Sequence, residues 1–252
     1  ISRNGSMKLN TGQKVWEKAK KIIPGGVMLF SKNPDLVLPK FWPVYYKKAK
    51  GCKIWDLDNN LYHDFSYMGV GTNILGYSRS EIDNAVIKAL KNSNMSTLNS
   101  KHEIHLAEKL IEMHPWAKMV KFSRGGGEAL SISTRIARAA TGRDKIAVCG
   151  YHGWHDWYLS ANLKKKNNLD EHLMKNLPIK GVSKNLLNTT YPFKYNDYGE
   201  LEKIVNQNNI GAVVMEVSRN EKPQKSYFSE KIRNLTKKKN IVLIFDECTS
   251  WF

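Results

Sequence analysis

Residues 119–143 read M-V-K-F-S-R-G-G-G-E-A-L-S-I-S-T-R-I-A-R-A-A-T-G-R, and the fold turns on how this stretch is divided. It predicts a short strand over 119–122, a turn made of Gly125, Gly126 and Gly127, and an amphipathic helix over 128–140 that opens at Glu128. Three glycines let a ligand approach the backbone closely, and the unpaired N–H groups of a helix start attract an anion. That is the local chemistry of a phosphate cradle. The same letters also suit an ordinary strand–turn–helix junction, so the surroundings have to decide.

Working outward, the chain after Pro115 alternates strand-like and helical stretches. Strands are predicted over 119–122, 146–149, 210–216 and 241–246, and helices over 128–140, 197–206 and 228–238. The continuous apolar runs A-V-V-M at 212–215 and I-V-L-I-F at 241–245 indicate strands covered on both faces. The expected fold class is therefore α/β, a three-layer α/β/α arrangement around a mostly parallel sheet. Residues 162–187 are polar, lysine-rich and weakly periodic, and read as a long surface excursion with room for a short helix. Before Pro115 come a helix over 13–23, ended by Pro24-Gly25-Gly26, and strands over 42–46, 51–57 and 61–65 with a turn at Asp58-Asn59-Asn60. Helices over 80–92, with Ser80 as cap, and over 102–113 complete the pattern. Residues 1–6 read as an expression remnant ahead of Met7, 7–66 as an N-terminal segment belonging to a small domain, and 67–252 as a large domain. That domain is expected to be incomplete, because the chain stops directly after a buried-type strand.

Composition narrows the function classes. The 252 residues carry a formal charge of +17, and 32 of the 40 basic residues are lysines dispersed along the chain. A nucleic-acid surface clusters its basic residues and interleaves aromatics. Here only 164–166 and 237–239 are lysine triplets, so a lysine-rich solvated surface is expected and no nucleic-acid partner. No apolar run approaches the roughly 20 residues of a membrane span, and 1–7 lack the apolar core of a secretory signal. Cys52, Cys149 and Cys248 lie far apart with no C-x-x-C spacing. Neither a disulfide framework nor a zinc site is expected, and reduced thiols suit a cytoplasmic protein.

Ligands of open α/β sheets sit beyond the carboxyl ends of the strands. The residues just past the predicted strands are, in order, the glycine turn and then Gly150-Tyr151-His152-Gly153-Trp154-His155-Asp156. The last two strands end in Glu216 and in Asp246-Glu247. An anion cradle, an aromatic cluster and carboxylates converging on one site suit a phosphorylated heteroaromatic cofactor. The backbone would hold the phosphate, a ring would stack on the heterocycle, and a carboxylate would keep a ring nitrogen protonated.

At this point the chain resembles the class III aminotransferases of the pyridoxal-phosphate fold type I superfamily, on the side of glutamate-1-semialdehyde 2,1-aminomutase and its relatives. The resemblance is carried, in order, by I-P-G-G-V at 23–27, G-C-K-I-W-D-L-D-N-N-L-Y-H-D at 51–64, I-L-G at 74–76 and H-L-A-E-K-L at 105–110. It continues through G-G-E-A at 126–129, R-I-A-R-A-A-T-G-R-D-K-I at 135–146, Y-H-G-W-H-D at 151–156 and F-D-E at 245–247. It implies pyridoxal 5′-phosphate as cofactor, with Gly125, Gly126 and Gly127 at the phosphate and Tyr151 stacked on the pyridine ring. Asp246 would face the pyridine nitrogen, Cys248 would pack on the ring, Thr249 would lie near the ring hydroxyl, and Glu216 would support from its strand end. An ordinary packed aromatic accounts for Tyr151 as well, and core filling for Cys248. His152 and His155 read as structural hydrogen-bonders within reach of a substrate. The resemblance also implies small amine and carbonyl substrates and a homodimer, with the region 69–100 facing the second subunit.

Three departures and one absence qualify it. The family reads Ser-Gly-Thr where this chain has three glycines, and the segment Met28-Leu29-Phe30-Ser31-Lys32 replaces the N-S-P-V-R of the semialdehyde enzymes. Trp251 takes a position usually held by a small residue, and the family's Schiff-base lysine would fall beyond Phe252, so no catalytic residue is assigned. Expected functions are thus an amino-group transferase, with the aminomutase and a catalytically inactive cofactor- or partner-binding module as alternatives.

Overall fold

The computed structural model describes residues 9–29, 32–39, 41–66, 68–69, 71–172, 174–218, 225 and 227–250. The proposed remnant at 1–6, and Phe30, Ser31 and Trp251, lie outside the described residues. The chain divides into two compact units, Ile1–His105 and Leu106–Phe252.

In the first unit, helix α1 (Thr11–Ile22) begins with a reciprocal cap, Asn10 accepting from the Gln13 N–H while the Gln13 side chain accepts from the Asn10 N–H. It ends where expected, with Gly25 and Gly26 at φ +73° and +75°. A β-carbon on Gly26 would enter the Trp16 ring, whose Nε1 donates to Asp35 across 3.1 Å. A one-turn helix α2 (Pro34–Val37) comes next. Strands β1 (Tyr46–Lys50), β2 (Lys53–Asp56) and β3 (Leu61–His63) form an antiparallel sheet in that order. The predicted turn joins β2 to β3. It is organised by buried Asp56, which accepts from the Asp58 and Asn60 N–H groups, Asn60 Nδ2 and Tyr62 Oη. Burial alone would push the Asp56 carboxyl up, but these donors together hold it below its ordinary value. The strand predicted over 42–46 does not form as such: only Tyr46 joins β1.

Helix α3 (Ser80–Leu90) starts one residue earlier than its predicted cap allows. Arg79 is the N-cap and makes no side-chain cap bond, while Ser80 is already helical. Neither α3 nor helix α4 (Lys101–Met113) contains a buried residue, although Ile82, Val86, Leu90 and Ile104 share the predicted apolar faces.

The second unit carries the parallel sheet. Helix α5 (Gly126–Thr141) leads into β4 (Lys145–Cys149), after which come α6 (Asp156–Leu159), α7 (Ala161–Lys164) and a 3-10 turn at Lys184–Leu186. The chain continues with β5 (Thr190–Pro192), α8 (Tyr198–Gln207), β6 (Ile210–Glu216), α9 (Phe228–Lys238) and β7 (Val242–Asp246). The strands lie in the order β5-β4-β6-β7, all parallel. Alternate residues of β4 and β6 feed opposite layers. Ala147, Cys149, Val213 and Met215 pack with Leu201 of α8 and Ile232 of α9, whereas Ile146, Val148, Ala212 and Val214 pack with Leu130 and Ala137 of α5 and with Tyr158 of α6. Each fully buried Val or Ile contributes about 1.5–3 kcal/mol by leaving water, and this double-sided burial makes the unit three-layered.

Two expectations fail in this unit. Residues 119–122 form no strand: Met119 is 88% exposed, and a lone extended segment without a neighbour to accept its ladder has nothing to hold it. The stretch 162–187 is not a plain surface excursion either. Leu169 is fully buried in the α5-side core, and Asn162 and His172 are buried with it.

Candidate active site

All the candidate site residues lie in the second unit. Register aligns the carboxyl ends of its strands. Cys149 pairs with Met215, Met215 with Phe245, and Glu216 with Asp246, so the loop after β4 and the acidic ends of β6 and β7 meet at one edge.

The glycine turn opens α5. Gly125 is the N-cap in an extended conformation, without any side-chain cap bond, so the first-turn N–H groups remain available. Glu128 turns back and accepts from the Arg124 N–H at 2.8 Å. Gly125 and Gly126 are exposed, and a β-carbon on either would meet nothing within 4 Å. Gly127 differs: a β-carbon there would lie 3.0 Å from His155 Nε2. The turn is therefore open over two residues and roofed by an imidazole over the third, which fits an anion at the helix start.

The loop after β4 is fixed through Gly150. Its N–H donates to His172 Nδ1 at 3.1 Å, and its carbonyl accepts from Tyr158 Oη at 2.7 Å. Its φ of +116° is a conformation that side chains disfavour, and a β-carbon would run into Glu216, with Cγ at 2.7 Å. From this pivot, half-buried Tyr151 stands edge-on to Tyr158 with centroids 6.2 Å apart, and burial pushes its hydroxyl up.

His152 goes the other way, into the protein, with a side chain that is 0% exposed. Its Nε2 faces the Cys149 carbonyl at 3.2 Å and its Nδ1 faces Asp246 Oδ2 at 2.9 Å. The Nδ1–carboxylate contact ties the loop after β4 to the end of β7. The other Asp246 oxygen accepts from the Cys248 N–H at 3.1 Å. Burial, then the Asp246 and Glu216 carboxylates, push the Cys248 thiol up, although the residue as a whole counts as exposed. Thr249 occupies the exposed turn after β7.

The geometry thus brings Tyr151, His152, Glu216, Asp246 and Cys248 to one edge, with the glycine turn joined to it through His155. Sequence reasoning missed Ser131, Tyr158 and His172. Ser131 was findable, being one helical turn after Gly127. His172 was not, since nothing in a polar, aperiodic stretch marks one buried imidazole. Among the described residues, no three His, Cys, Asp or Glu side chains gather to hold a metal ion.

Comparison with known proteins gives a consistent result. The family model described as aminotransferase class-III matches residues 39–252. A 3-aminobutyryl-CoA aminotransferase of Cloacimonas acidaminovorans is 32% identical over 98% of this chain and 57% of its own length. A glutamate-1-semialdehyde 2,1-aminomutase of Methanobrevibacter smithii is also 32% identical, over 94% of this chain and 55% of its own. The FumI protein of Sphingopyxis sp. MTA144, solved in the internal aldimine form of pyridoxal phosphate, aligns with a TM-score of 0.79 at 26% identity. That alignment covers 94% of this chain and 54% of that one. The chain therefore spans little more than half the length of these relatives.

Proposed function

Because the chain belongs to the class-III aminotransferase family, we propose that it forms the cofactor-holding part of a pyridoxal-phosphate enzyme that moves an amino group from an amine to a carbonyl acceptor. When bound, the cofactor supplies an electron sink for a substrate carbanion. Gly125, Gly126 and Gly127 present helix-start N–H groups to its phosphate, and Tyr151 lies against its ring. Asp246 keeps a proton on the pyridine nitrogen, and His152 fixes the orientation of that carboxylate. Glu216, Cys248 and Thr249 complete the ring surroundings. The observation that carries this reading is the contact between buried His152 and Asp246, which aims a carboxylate on β7 from the loop that bears Tyr151.

The semialdehyde aminomutase similarity favours isomerisation as a second reading. We take residues 67–252 as the cofactor domain, with 7–66 belonging to the small domain. No helix among the described residues is long and apolar enough to cross a membrane; with none of Cys52, Cys149 and Cys248 in a disulfide, the cytoplasm is the proposed compartment. A homodimer is proposed because α3 and α4 expose Ile82, Val86, Leu90 and Ile104 while burying nothing. Light scattering on the purified protein tests that proposal, and a monomer at all concentrations refutes it.

The test of function uses pyridoxamine 5′-phosphate, which cannot form adducts with the 32 lysines. Calorimetry is expected to show one site, weakened about tenfold or more by Asp246→Ala, the scale of a lost charge-assisted hydrogen bond. No saturable binding, or binding indifferent to Asp246, overturns the reading.

A further inference from the structure

A turn of three glycines offers an anion only backbone donors, yet one side chain already stands over it. His155, half-buried in the loop after β4, bears on Gly127, and a β-carbon on Gly153 of the same loop would lie 3.6 Å from the Gly127 Cα. The ring is held from behind by Ser131, whose Oγ lies 2.7 Å from His155 Nδ1.

Ser131 takes up one nitrogen of the ring. Its hydroxyl donates its single proton to the Gly127 carbonyl at 2.9 Å, one helical turn back. The same oxygen accepts from Trp157 Nε1 at 3.2 Å. With Nδ1 engaged by that oxygen, Nε2 is the ring nitrogen left to face the turn. This is the atom 3.0 Å from the Gly127 β-position, and it has no hydrogen-bond partner among the described residues. The carboxylate on the same turn, Glu128, is engaged by the Arg124 N–H; Asp156, next in sequence, is exposed.

We propose that His155 is the side-chain donor to the anion at Gly125, Gly126 and Gly127, supplying through Nε2 the contact that a hydroxyl on the turn would otherwise make. This rests on reading that turn as the phosphate end of the cofactor site. Gly127 and His155 are then a matched pair. The glycine leaves room for the ring, and Ser131 with Trp157 keeps the ring pointed at the space. A hydroxyl side chain at 127 and an imidazole at 155 would compete for one position.

The experiment compares the dissociation constants of pyridoxamine 5′-phosphate and pyridoxamine, identical except for the phosphate, by calorimetry on the whole chain. The wild type is expected to prefer the phosphorylated form strongly. His155→Ala is expected to lose about tenfold of that preference, the scale of one charge-assisted hydrogen bond, with pyridoxamine itself unaffected. His155→Gln, which can place an amide donor near Nε2, should recover part of it. G127S/H155A should regain part of it by returning a hydroxyl to the vacated space, whereas Gly127→Ser alone should not improve on the wild type. A wild type with no preference for the phosphorylated form overturns the cradle and this proposal together. A wild type with the preference, matched in full by His155→Ala, overturns the role of His155 and leaves the cradle standing. Circular dichroism of each variant shows that loss of binding is not loss of fold.

Discussion

Gly150 and Gly126 begin neighbouring turns of one candidate site, yet a side chain would fare differently at each. Gly150 has a φ of +116°, is clamped at N–H and carbonyl by His172 and Tyr158, and abuts Glu216. Gly126 is the first residue of α5 in ordinary helical geometry, exposed, with nothing within 4 Å of a β-carbon. The first glycine is required by the protein around it. The second is surrounded by space that the fold does not use. Glycine at a conformation other residues avoid, and glycine where any residue would fit, are different statements. Only the second points outward, to something that must come close.

The comparison breaks most readily at Gly150. Gly150→Ala forces a disfavoured backbone conformation and displaces Glu216, with an expected loss on the order of 3 kcal/mol. Urea denaturation measures it, and an alanine tolerated without loss would mean that the pivot is not a pivot. Next in size is His172→Ala, which leaves the Gly150 N–H buried without its acceptor and should cost about 2 kcal/mol. Its more telling readout is Tyr151, whose fluorescence environment should change as the loop loosens. Tyr158→Phe removes only the donor to the Gly150 carbonyl and keeps the packed ring, so about 1 kcal/mol is expected. If Tyr158→Phe proved costlier than His172→Ala, the carbonyl rather than the N–H would be the fixed end of the clamp.

Much of this is legible in the sequence, for identifiable reasons. Strand β6 and helix α9 fall where the apolar runs predict them, at Ile210–Glu216 and Phe228–Lys238, because a strand covered on both faces cannot tolerate polar interruptions. The strand expected over 119–122 does not form because four suitable residues make a strand only beside another strand. Strand β5 is hidden for the opposite reason: Thr190–Pro192 is three residues long and contains a proline, and it exists because β4 lies alongside it. At the site, Tyr151, Glu216 and Asp246 are visible as residues at or just past strand ends. The clamp is not, because His172 acts from a stretch whose composition predicts solvent. Side chains that hold a loop in place need no periodicity, only proximity.

Gly126→Ala is the smallest prediction and the sharpest. At the first turn of α5, alanine removes backbone freedom from the unfolded chain and meets no neighbour, so stability should rise by about 0.4–1 kcal/mol. If the space over Gly126 is where a phosphate sits, the same methyl group stands in its way. Pyridoxamine 5′-phosphate should bind less tightly while the melting temperature increases. Opposite signs from one methyl group would be hard to explain by any damage to the fold. A variant that gained stability and kept its affinity would return Gly126 to the status of an ordinary helix start, and the distinction between the two turns would then rest on Gly150 alone.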